Sequence, residues 1–91
     1  MDSKLKEKMN QKITEIVENS NEIFQIIESL GNLDKGSDSF GLGIAIGRLY
    51  NSFHYQCRRI LKRNPTEEEF SEFLEILSER QKEILEVLKQ R

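Results

Sequence analysis

Three stretches of this chain place apolar residues at steps of three, four and seven, a periodicity that leaves little room for any class but all-α. The first runs through Leu5, Met9, Ile13, Ile16, Ile23, Ile27 and Leu30, with Ser20 as its one polar interruption. The second runs through Leu42, Ile46, Leu49, Phe53, Cys57, Ile60 and Leu61. The third contains Phe70, Phe73, Leu74, Leu77, Ile84, Leu85 and Leu88. Ile76 and Val87 widen this last stripe to nearly half the helix surface, as suits a helix with two neighbours.

Punctuation between the stripes sets the boundaries. Asp2 or Ser3 serves as the first N-cap, and Gly31 stands where a helix ends in a left-handed residue. Residues 31–38 carry two glycines with Asn, Asp and Ser, the composition of a turn-rich connection. The opening of the second helix is less regular. Phe40, Gly41, Leu42, Gly43, Ile44, Ala45, Ile46 and Gly47 alternate large and small residues, which is also a strand pattern, and each glycine weakens a helix by about 1 kcal/mol. Helix is preferred because the downstream period runs back unbroken through Ile46 and Leu42, and a lone strand finds no partner here. Pro65 stops the second helix, and Thr66 with Glu69 three residues on forms a capping box for the third.

The predicted fold is therefore all-α, an antiparallel up-down-up three-helix bundle with helices over about 3–30, 39–63 and 66–90, in one domain spanning 1–91. The competing architecture is a helical hairpin plus one helix that completes its core by homodimerisation. A chain of 91 residues buries only about 60–65% of its unfolded surface, so it folds with little stability to spare. Its longest apolar run, residues 40–47, is far shorter than the ~20 residues a membrane span needs, and the charged opening lacks a secretory signal's apolar core. A single cysteine, Cys57, favours a reducing compartment, and the expected location is cytoplasmic.

Charge is segregated. Residues 1–38 carry a net −3, residues 39–65 a net +5 with no acid at all, and residues 66–91 a net −4. The cations Arg58, Arg59, Lys62 and Arg63 gather at the end of the second helix, where antiparallel packing adds Lys4, Lys6, Lys8 and Lys12. Such a cluster can meet nucleic-acid phosphates by counterion release. It also suits a helix C-terminus facing the acidic start of the next helix, Glu67, Glu68 and Glu69.

Other constellations carry less chemistry. The glycines at 41, 43 and 47 resemble a dinucleotide fingerprint, but that motif needs a strand before it and a second strand carrying an acid, and neither is present. His54 and Cys57 are too few to hold zinc. The many carboxylates fall opposite the apolar stripes, on solvated faces rather than in a pocket suited to acid–base work. No catalytic group, cofactor or small-molecule substrate is expected, and the chain is read as a non-enzyme.

The strongest functional signal is a surplus of apolar circumference. Phe40, Gly43, Ile44, Gly47, Tyr50 and His54 make the start of the second helix apolar or small nearly all round, more than two sister helices cover. Gly43 and Gly47, four apart, would let another backbone approach closely. Leu33 in the connection is one means of covering this side; a docked partner is the other. The expected function is a small helical interaction protein that self-associates or docks another protein through these six residues. The alternative is a nucleic-acid-binding domain using Arg58, Arg59, Lys62 and Arg63.

Overall fold

A computed structural model describes residues 1–30 and 37–90, and is all-α: α1 Ser3–Glu18, α2 Asn21–Leu30, α3 Ser37–Leu61 and α4 Glu67–Lys89. The expectation of three helices is corrected to four among the described residues. The first predicted helix breaks at Asn19 and Ser20. Asn19 leaves the helical region at φ −133° and ψ 70°, after its N–H closes α1 on the Glu15 carbonyl. The Ser20 carbonyl then accepts the first bond of α2, from the Phe24 N–H at 3.0 Å. The cause is local: Asn19, Ser20 and Asn21 form a run of short polar side chains that compete with the helix for backbone groups.

The break interrupts the helix without moving the apolar stripe off the core. Leu5, Met9, Ile13 and Ile16 of α1 and Ile23 and Ile27 of α2 are all buried. α3, at 25 residues and about 37 Å long, spans the 40 Å length of the molecule. α1 runs antiparallel to it, since Lys4 and Lys8 lie beside Arg59 while Lys12 and Glu15 lie beside Arg48 and Ser52. α4 runs antiparallel to α3 as well, with Phe53 on Phe73 in the middle and Gly41 against Leu88 at one end. α2 packs against the start of α3, where Ile27 reaches Gly41. The expected closure by Leu33, and the Gly31 helix end, lie outside the described residues.

The core is one cluster drawn from all four helices. Its centre is the stacked pair Phe53 and Phe73, with ring centroids 4.5 Å apart and planes within 3°. Arg80 stitches α4 to α1 at the rim: Nη1 donates to the Asn10 carbonyl at 2.7 Å and Nη2 to Thr14 Oγ1 at 3.0 Å. Among the described residues no buried side-chain polar atom lacks a hydrogen-bond partner.

The turn between α3 and α4 follows the predicted chemistry closely. Thr66 Oγ1 accepts from the Glu69 N–H at 3.1 Å, and Glu69 Oε1 accepts from the Thr66 N–H at 2.9 Å. α3 stops at Leu61, two residues earlier than expected, because Lys62 turns to φ 63°. A left-handed residue is a common way to end a helix, though glycine is the usual occupant.

Candidate association surface

Phe40, Gly43, Gly47, Tyr50 and His54 succeed one another along α3 at steps of three and four, which puts them on one face. Of the five, Tyr50 is the one whose ring meets α4, at Phe70 and Phe73. Phe40 and Ile44 are half-buried and pack against the core cluster. Gly43 and Gly47 are exposed, and a methyl group built on either would meet nothing within 4 Å among the described residues. The close backbone approach expected at these two glycines is not made among the described residues. It occurs instead at Gly41, where a methyl group would lie 2.8 Å from Ile27 Cδ1 and 3.0 Å from Leu88 Cδ2.

Beyond the glycines the face turns aromatic. The Tyr50 ring meets His54 edge-on at 4.8 Å and Phe70 of α4 edge-on at 6.0 Å, in the offset geometry that aromatic quadrupoles favour. Phe73 lies behind them, 6.4 Å from Tyr50, and links the cluster to the core stack. Tyr50, Phe70 and Leu74 nevertheless leave 46%, 39% and 47% of their surface in water. Three large apolar side chains, on two adjacent helices, thus form one strip with nothing over it among the described residues.

Phe70 and Leu74 are the members that sequence reasoning missed. They sit on the third apolar stripe, and the period alone assigns them to the core. The width of that stripe was the available signal. α4 touches α1 with Arg80 and Ile84, and α3 with Phe73, Leu88 and one edge of Phe70, and still leaves much of Phe70 and Leu74 in water.

The basic residues divide. Arg63 is engaged at the turn, with Nη1 on Glu69 Oε1 at 2.7 Å and Nη2 on Glu69 Oε2 at 3.1 Å, a two-point fork. That fork, with the Thr66 N–H, holds the nearly buried Glu69 carboxyl down at about 2 against the opposing pull of burial. Arg59 donates from Nε to Oε1 of the buried Gln56 at 3.1 Å. It borders a cleft of about 450 Å³ together with Lys4, Glu7, Lys8 and Gln11 of α1. Arg58 and Lys62 are exposed.

Cys57 is wholly buried, and burial pushes its thiol up from the ordinary value, with Glu69 adding to the effect. A thiol held in that form is a packing group rather than a nucleophile. Among the described residues no three His, Cys, Asp or Glu side chains stand where they could hold a metal ion, and no helix is long and apolar enough to cross a membrane. Comparison with known proteins finds no matching family, no similar curated protein and no similar solved structure.

Proposed function

We propose that this protein is a small, non-enzymatic helical interaction module that associates through the outer face of α3 and α4. The observation that carries the reading is the exposed strip of Tyr50, Phe70 and Leu74, contiguous across two helices and bordered by the bare backbone at Gly43 and Gly47. Isolated exposed apolar side chains need no explanation; a connected aromatic and aliphatic strip marks a contact site. In this reading α1 and α2 pack in turn along α3, and the bundle they form with α4 is completed by an added partner. The single buried cysteine suits a reducing, cytoplasmic setting.

Binding of nucleic acid by Arg58, Arg59, Lys62 and Arg63 ranks below this reading. Arg63 is held by Glu69, Arg59 is tied to Gln56, and Glu7 lies among the cations of the neighbouring cleft.

Self-association stabilises by mass action, so the melting temperature of the wild type should rise with protein concentration. Leu74→Lys, at an exposed position, should leave the helical content intact and abolish that rise. A melting temperature independent of concentration in the wild type would overturn the self-associating form of the proposal.

A further inference from the structure

We propose that the occupant of this face is a second copy of the chain, turned about a two-fold axis along the α3–α4 groove so that Arg58 of each copy meets Glu67 of the other. The inference rests on the association surface proposed above and adds the identity and orientation of what covers it.

Two stripes, one on each helix, lead to this arrangement. On α3, Tyr50, His54 and Arg58 follow at four-residue steps; on α4, Glu67, Phe70 and Leu74 follow at steps of three and four. Because the helices are antiparallel, Arg58 and Glu67 terminate the apolar strip at the same end, one on each edge. Both are exposed, and neither makes an ion pair among the described residues, although Arg63 and Glu69 pair two-point in the same region. The strip therefore ends in a cation on one edge and a carboxylate on the other, at matching height.

Only one of the two face-to-face symmetries satisfies that pattern. A half-turn about an axis along the groove lays α3 of one copy across α4 of its partner at equal height, which joins Arg58 to Glu67 two times per dimer. A half-turn about an axis across the groove lays α3 over α3 with its ends exchanged. That carries each Arg58 to the glycine end of the partner's strip, away from the partner's Glu67, so the pair is not formed. Both arrangements make neighbouring helices across the interface antiparallel, the pattern of up-down four-helix bundles, so the charged pair is what selects the first. Such an isologous contact closes on itself and stops at the dimer.

Sedimentation equilibrium on the full chain tests the proposal. Arg58→Glu and Glu67→Arg should each raise the dimer dissociation constant about fivefold, by setting like charges opposite one another, and the double variant should return to within about twofold of wild type. Circular dichroism on each variant confirms the fold, which exposed substitutions leave in place. A wild-type dimer that Leu74→Lys dissociates, with a double variant no tighter than the singles, would overturn this orientation and leave the association surface standing. A wild type that stays monomeric to submillimolar concentration would overturn both.

Discussion

Glu69 carries more of the local architecture than any other single side chain outside the core. It closes the capping box with Thr66, accepts the two-point fork from Arg63 across Pro65, and is itself 6% exposed. Its carboxyl sits at about 2, below the value near 4.5 it has when free, so the folded state binds its proton less readily than the unfolded chain. The stabilisation is therefore complete above pH about 4.5 and is lost as pH falls through the folded value near 2. Glu69→Gln keeps the shape and removes the charge, and should cost about 2 kcal/mol at neutral pH in urea unfolding. The gap between variant and wild type should close as pH falls from about 5 towards 2. A gap that stays constant over that range would show that the carboxylate charge is not what stabilises the turn. This part of the molecule was legible in the sequence because it is local: Thr66, Glu69 and Pro65 declare a cap by spacing alone. The Arg63 fork was not, since four cations compete for the same acids and only the path of the turn selects one.

At the scale of the helices, glycine shows what spacing leaves open. Gly41, Gly43 and Gly47 look alike in the chain, yet Gly41 alone is pressed between Ile27 and Leu88 while the other two face outwards. The difference comes from their places around α3: Gly41 falls on the side that meets α2 and α4, and Gly43, two residues on, falls nearly opposite. The break at Asn19 and Ser20 was hidden by the stripe itself, because Ile16, Ile23 and Ile27 stay in phase across it; the polar run Asn19, Ser20 and Asn21 was its visible sign. The two kinds of glycine should separate in mutagenesis. Gly47→Ala gains helix propensity with nothing to strike, and should stabilise the isolated monomer by up to about 1 kcal/mol. Gly41→Ala gains the same propensity but drives a methyl into two buried side chains, and should fall short of Gly47→Ala by about 1 kcal/mol or more. Equal stabilities for the two variants would show that α2 and α4 do not close on α3 at Gly41. The width of the third stripe belongs at this scale too. Periodicity says that α4 has more apolar face than one neighbour uses, and coordinates are needed to show that Phe70 and Leu74 remain outside after two.

For the molecule as a whole, the buried core and the open strip are one continuous structure. Phe53 stacks on Phe73, Phe73 lies against Tyr50 and Phe70, and those two rings stand half in water. A domain of this size has few apolar side chains to leave exposed, and here it leaves three together, with a cation and a carboxylate at one end that make no ion pair among the described residues. The sequence placed the surplus at the start of α3, whereas the exposed strip lies further along, and α4 contributes two of its three side chains. The most direct measurement is the mass in solution, by light scattering behind size-exclusion chromatography across a range of concentrations. The prediction is a rise towards twice the chain's 10.7 kDa, reversed by Leu74→Lys. A mass fixed at 10.7 kDa throughout would contradict self-association through this face.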